Sequence, residues 1–128
     1  KISIIAGGSG QFGVNLSQFL LKKGYRIIIT TRNVKLAKKK IPFTNKNLIL
    51  VKLNVLKKKE IQKLILKYSP KLIFYFASQS SPKVSFENKR TTLNSNFLGC
   101  QNFLEIIQNN GFRNRVIFNK PIRTYIVS

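Results

Sequence analysis

A chain of 128 residues holds one domain, and its length suffices for a real core. Its apolar fraction of 43% suits a globular protein, and no run reaches the roughly 18 apolar residues of a membrane span. The charge of +21, from 24 basic and 3 acidic residues, comes mostly from lysines scattered through every segment alongside many Ile and Asn. It therefore reads as a compositional bias with a solvated basic face rather than a nucleic-acid surface.

Ile2–Ala6 is a short, β-branched apolar run, as expected of a buried parallel strand. Gln11–Lys23 follows with Phe12, Leu16, Phe19 and Leu20 on one helical face, and Gly24 closes it. Tyr25–Thr31 is a second strand. Asn33–Lys40 is a short basic helix opened by a good N-cap residue and broken at Pro42. Leu48–Leu53 is a third strand. Lys57–Tyr68 carries Ile61, Leu64, Ile65 and Tyr68 at helical spacing, and Pro70 stops it.

Leu72–Phe76 is a fourth strand, followed by the polar loop SQSSPK. A long helix is expected from about Asn88 to Asn110, with Leu93, Phe97, Leu104 and Ile107 as core candidates and Gly111 at its end. Cys100 within it is expected to be a small buried residue. The tail RVIFNKPIRTYIVS offers one or two short strands separated by Pro121.

Strands alternating with helices over short connections mean βαβ units. The expected fold is α/β: a Rossmann-type doubly wound parallel sheet, incomplete at the C-terminus, with its ligand at the carboxyl ends of the strands.

The first strand–helix junction reads GGSGQFG. Gly8, Gly10 and Gly13 spell G-x-G-x-x-G, whereas Gly7, Gly10 and Gly13 spell G-x-x-G-x-x-G. Either way the spacing serves a dinucleotide. Gly7 makes the tight turn, Gly10 lets the backbone approach a pyrophosphate, and Gly13 lets the helix pack on the strand. The pyrophosphate then meets the positive end of the helix starting near Gln11. The acidic residue that would hold a ribose 2′-hydroxyl at the end of the second strand is missing. The sequence there reads TTRN, and Arg32 suits a 2′-phosphate, which favours NADP over NAD.

The stretch FYFASQSSPKVSFENKRTTLNSNFLGCQNFLEII resembles the GDP-mannose 4,6-dehydratases, in the extended branch of the short-chain dehydrogenases. That family carries segments like YNLAAQSHVAVSFE and LGTLRLLEAI. GSGQFG is similar to its GxTGQDG loop, and GYRIIITTR to its GYEVHGIVR, so the likeness covers about the first 118 residues. The resemblance implies that residues 1–128 form an NAD(P)-binding domain, the N-terminal fragment of a longer enzyme whose substrate domain is absent.

It also implies the site. Gly7, Gly8, Ser9, Gly10, Gln11 and Phe12 form the pyrophosphate loop, with Gly13 behind it. Arg32 matches the 2′-phosphate arginine, and Asn54 and Val55 match an Asp-Leu pair edging the adenine. Phe76, Ala77, Ser78, Gln79 and Ser80 run beneath the ribose and nicotinamide. Val84, Ser85, Phe86 and Glu87 border the sugar-nucleotide pocket, with Ser85 and Glu87 as substrate contacts. Several positions depart from the family. Asn54 replaces an acid, although its amide oxygen can still accept from the adenine amine. Ser81 replaces a histidine, Phe12 an aspartate, and Thr91 a cofactor-contacting tyrosine.

The implied activity is the NADP-dependent conversion of GDP-mannose to GDP-4-keto-6-deoxymannose, a lyase reaction with a nucleotide-sugar substrate. The family's base is a tyrosine in a Tyr-x-x-x-Lys arrangement, supported by a Ser/Thr and a Glu in a stretch after strand five. None of these can be assigned. RVIFNKPI aligns with the family's strand five and puts Pro121 where a small residue belongs. Alternatively IRTYIVS is strand five, and Ser128 begins the catalytic stretch. Tyr125 has no lysine four positions on, so no catalytic residue is named. The carboxylates are Glu60, Glu87 and Glu105, with Glu60 and Glu105 expected on exposed helix faces and Glu87 equally suited to a helix start.

The chain should therefore bind a dinucleotide better than it catalyses. Three other readings remain: another extended short-chain nucleotide-sugar epimerase or reductase, a non-catalytic dinucleotide-binding module, and a nucleic-acid binder. The last lacks aromatic residues interleaved on a basic stripe. One cysteine and no histidine exclude a disulfide framework and a Cys/His metal site, and a cytoplasmic setting is the default. No signal peptide precedes the glycine motif, and a start at Lys1 rather than Met is expected of a fragment. The full-length family is expected to form homo-oligomers. The fragment alone should be marginally stable and prone to associate through an open sheet edge.

Overall fold

A computed structural model describes residues 1–7, 10–76, 86–109, 115–119 and 124–127. In chain order the elements are β1 (Ile2–Ala6), α1 (Gln11–Lys22), β2 (Arg26–Thr31), α2 (Val34–Lys40) and β3 (Leu48–Lys52). There follow α3 (Lys58–Tyr68), β4 (Leu72–Phe76), α4 (Phe86–Asn109), β5 (Arg115–Asn119) and β6 (Thr124–Val127). The strands form one sheet in the order β3-β2-β1-β4-β5-β6. Five run parallel, as the βαβ alternation requires, while β6 returns antiparallel on β5, with Phe118 opposite Tyr125. This resolves the tail. Arg115–Asn119 is the fifth parallel strand, and the IRTYIVS segment supplies an edge strand beside it. Gly111, Pro121 and Ser128 lie outside the described residues.

Successive side chains of a strand leave by opposite faces, so each strand feeds two cores. Ile4, Ala6, Ile28, Ile73 and Tyr75 meet Ile61, Leu64 and Ile65 of α3 and Phe103, Ile106 and Ile107 of α4. Ile5, Ile27 and Ile29 meet Val14 and Leu20 of α1 on the other face. The continuous apolar run of β2 follows from burial on both sides.

Local signals set the helix ends. Asn33 caps α2, its Oδ1 accepting from the Leu36 amide at 3.0 Å. After α1 the Gly24 amide donates to the Leu21 carbonyl and the Tyr25 amide to that of Leu20, both at 3.1 Å, which closes the last turn. Ser69 ends α3 with φ 43°, its amide donating to Ile65 at 2.8 Å.

Three expectations need correction. The inner face of α1 is Gly13, Val14, Ser17 and Leu20, whereas Phe12 and Phe19 are 65% and 56% exposed. The sheet takes the small residues because they let the helix lie close, and Lys23 holds its ammonium 5.5 Å above the Phe19 ring. Cys100 is half-buried at the rim of the α4 core rather than within it. Glu60 and Glu105 are only half-exposed, each ion-paired to a lysine of the β3–α3 region. In α4 Ile107 is buried and Leu104 packs at the core's edge, while the side chains of Leu93 and Phe97 lie outside the described set.

Candidate dinucleotide-binding edge

Every parallel strand ends at the same edge of the sheet, and each following helix begins there. Gly7 leaves β1 with φ 76°, a conformation that side chains other than glycine rarely adopt. Its amide donates to the Thr30 carbonyl at 3.1 Å, and a Cβ on it would collide with the Phe76 carbonyl. The first turn is thus pinned between the ends of β2 and β4, and only glycine fits. Gly10 is the N-cap of α1, its carbonyl accepting from Val14 at 2.9 Å, and the space where a Cβ would project is open. Gln11 and Phe12 are exposed beside it, whereas Gly13 is buried and its carbonyl accepts from Ser17 Oγ at 2.7 Å.

The first turn of α1 carries no acidic residue, and a helix start presents N–H groups without intrahelical partners. A backbone turn open on one side, with amides converging on it, is what a pyrophosphate requires.

Arg32 follows β2 at the same edge, exposed. The segment around it is held tightly: the Asn33 amide donates to Thr31 Oγ1 at 3.2 Å before α2 starts. Among the described residues no carboxylate pairs with Arg32. Its field reaches the Tyr75 phenol, which it lowers, while burial of the ring and the nearby Cys100 together push that phenol well above its ordinary range. Tyr75 is neutral and belongs to the core, its ring edge-on to Phe103 at 5.6 Å.

After β3 the chain turns at Asn54 and Val55. Asn54 Oδ1 accepts from the Leu56 amide at 3.0 Å, and the Asn54 carbonyl accepts from Lys57 at 3.0 Å. One lone pair of the amide oxygen is therefore spent on the turn, as a carboxylate's would be. Lys57, Lys58 and Lys59 surround the start of α3, the first two paired with Glu60 and Glu105. Phe76 ends β4, half-buried and stacked on Phe74 at 6.5 Å.

The fold thus gathers Gly7, Gly10, Gln11, Phe12, Gly13, Arg32, Asn54, Val55 and Phe76 along one rim. Gly8, Ser9, Ala77, Ser78, Gln79, Ser80, Val84 and Ser85 lie outside the described residues, as does Ser81. Glu87 stands in the first turn of α4 and Thr91 further along it. Two residues that the sequence reading passed over, Gly99 and Asn102 of α4, abut the Asn54–Val55 turn. The only signal for them in the sequence is a glycine within a helical pattern.

Comparison with known proteins bears on this rim. The family model for GDP-mannose 4,6 dehydratase matches residues 4–128. The chain belongs to that family. A GDP-mannose 4,6 dehydratase from Dictyostelium discoideum is 28% identical, aligned over 91% of this chain and 35% of its own length. Among solved structures, an epimerase from Methanothermobacter thermautotrophicus is 26% identical with a TM-score of 0.76, covering 92% of this chain and 34% of that one. The UDP-glucose 4-epimerase of Thermus thermophilus, solved with NAD, shares the fold at a TM-score of 0.71 and 21% identity, covering 88% of this chain and 35% of its own. The chain spans about a third of the length of these dehydratase-family and epimerase relatives. Among the described residues no helix is long and apolar enough to cross a membrane, and no cluster of three potential metal ligands occurs.

Proposed function

We propose that this chain is the coenzyme-binding part of an NADP-dependent nucleotide-sugar dehydratase that acts on GDP-mannose. The observation that carries the reading is the rim itself. A glycine turn that admits no side chain lies beside an open helix start, and an arginine without an acidic partner among the described residues follows β2. The residues present fit the coenzyme. Gly7, Gly10 and the first amides of α1 would hold the pyrophosphate, Arg32 the 2′-phosphate, and Asn54 and Val55 the adenine. By the family resemblance, Ala77–Ser80 would serve the nicotinamide, and Ser85 and Glu87 the sugar nucleotide. When bound, NADP supplies a hydride acceptor and then a hydride donor.

The chain's own contribution is binding and orientation. Tyr25, Tyr68 and Tyr75 have Ile29, Leu72 and Gln79 four positions on rather than a lysine, so the roles assigned to these residues are binding ones. A second reading, a nucleotide-sugar epimerase, is supported by the likeness to the Methanothermobacter epimerase. Binding of GDP-mannose in preference to UDP-glucose by the full-length protein separates the two.

Fluorescence titration of the 128-residue chain tests the coenzyme. NADPH should bind more tightly than NADH, and Arg32→Gln should weaken NADPH by about tenfold while leaving NADH unmoved, the size expected for one charge-assisted contact. A folded chain that binds neither nucleotide would sink the reading.

A further inference from the structure

Helix α4 carries Gly99, Asn102 and Glu105 at intervals of three, and all three face the connection between β3 and α3. A Cβ on Gly99 would meet the Tyr75 hydroxyl and lie 2.6 Å from Val55 Cγ2, so α4 approaches that connection as closely as a helix can. Asn102 donates from Nδ2 to the Val55 carbonyl at 2.9 Å, across 47 residues of sequence. Glu105 pairs with Lys58, the first residue of α3, at 2.5 Å. Residues three apart share one side of a helix, so the three contacts form one stripe. Asn54 and Val55 are the residues at which the adenine would rest.

The connection is tied to β2 at its start, where the Leu53 amide donates to the Thr31 carbonyl at 3.0 Å, and the Asn54 amide donates to Glu60 Oε1 at 3.5 Å; beyond these it is held by turn bonds. Asn54 Oδ1 and its carbonyl close the turn at Leu56 and Lys57. Asn102 supplies a bond to its backbone from another element, and a side-chain amide is suited to donate to a carbonyl there. We propose that Asn102 is a positioning residue for the adenine side of the coenzyme cleft, acting through the Val55 carbonyl with Gly99 and Glu105 beside it. This rests on the coenzyme reading above. The role is indirect: Asn102 touches the turn that meets the nucleotide, not the nucleotide.

The test is Asn102→Asp, nearly the same shape with the donor removed. At neutral pH its carboxylate faces the Val55 carbonyl without a proton, and 2′,5′-ADP should bind up to about tenfold more weakly than to the unmodified chain, as for a lost part-buried hydrogen bond. On acidification from about pH 8 to about pH 5 the carboxyl, raised by the facing Val55 carbonyl and by partial burial, begins to take up a proton and can donate again. The ratio of variant to unmodified affinity should then recover. Asn102→Leu should be weak at every pH, and the reduced nicotinamide mononucleotide should bind all three chains alike.

Hydrogen exchange of the Leu56 and Lys57 amides in the unliganded chains gives a second readout, and both should exchange faster in the variants. Unchanged exchange and unchanged 2′,5′-ADP binding in Asn102→Asp would overturn the proposal. So would equal weakening of both fragments that tracks a lowered melting temperature without pH recovery. Failure of the unmodified chain to bind 2′,5′-ADP would overturn the coenzyme reading and this role with it; normal binding there with no effect in the variants overturns this role alone.

Discussion

The two faces of the sheet are fed by the same strands yet closed to different degrees. On the α3/α4 face, Phe103, Ile61, Ile65 and Ile73 are fully buried, and Tyr75 lies edge-on to Phe103. On the α1 face, Val14 and Leu20 cover Ile5, Ile27 and Ile29, but Phe74 and Phe76 stay half-buried beyond the helix and Phe19 points outward. The difference teaches where the strand pattern stops deciding. Alternation sends apolar side chains both ways, and burial then depends on what lies above them. Helices α3 and α4 lay long apolar stripes over the centre of the sheet, whereas α1 offers a narrow inner surface of small residues.

The sharpest way to break this comparison is to truncate one phenylalanine on each face. Phe103→Ala should cost about 3–5 kcal/mol, since a fully buried aromatic leaves a cavity. Phe74→Ala should cost about half of that, because part of its surface already meets solvent. Denaturant unfolding of both variants measures the gap, and equal costs would show the faces to be equally closed.

Next in size is an alkaline effect confined to the closed face. Burial raises the Tyr75 phenol above its ordinary value of 10.0. Its neutral form is favoured in the folded chain, so the associated stability is complete below pH 10 and is lost as pH rises above it. The loss approaches about 1.4 kcal/mol per pH unit. Tyr75→Phe should remove that slope, leaving the background that both chains share. Parallel stability curves between about pH 9 and about pH 11.5 would contradict the burial argument.

The smallest effect belongs to the open face. Ser3 is fully buried on β1, on the side of Ile5, and among the described residues its hydroxyl has no partner. Ser3→Ala should therefore raise stability by about 1 kcal/mol, the cost of an unsatisfied hydroxyl. A fall in melting temperature would mean that the hydroxyl is satisfied after all.

Much of this fold was legible because its signals are local. Asn33 as N-cap, Gly24 after the first helix and Pro70 after the third mark the ends of elements through bonds made within a few residues. The rim at Gly7, Gly10 and Arg32 was legible too, since the spacing of glycines after a strand states a backbone requirement. The face of α1 was not. Phe12 and Phe19 have the period of a core stripe, but the stripe that packs is chosen by how near the sheet lets the helix come, and Gly13 and Ser17 come nearer. Asn102 and Gly99 were passed over for the same reason. Their partners, Val55 and Tyr75, are distant in sequence, and no pattern within a helix records a neighbour that only folding supplies.

By itself the amino-acid order determined the alternation of strand and helix, the glycine turn and the basic residue that ends β2, because each rests on dihedral freedom, capping or periodicity over a few residues. Only the tertiary structure decided that Arg115–Asn119 and Thr124–Val127 pair as neighbours, which side of α1 is inside, and that α4 grips the turn at Val55. Those outcomes depend on the fit between surfaces, and the shape of a surface exists only once the chain has assembled it.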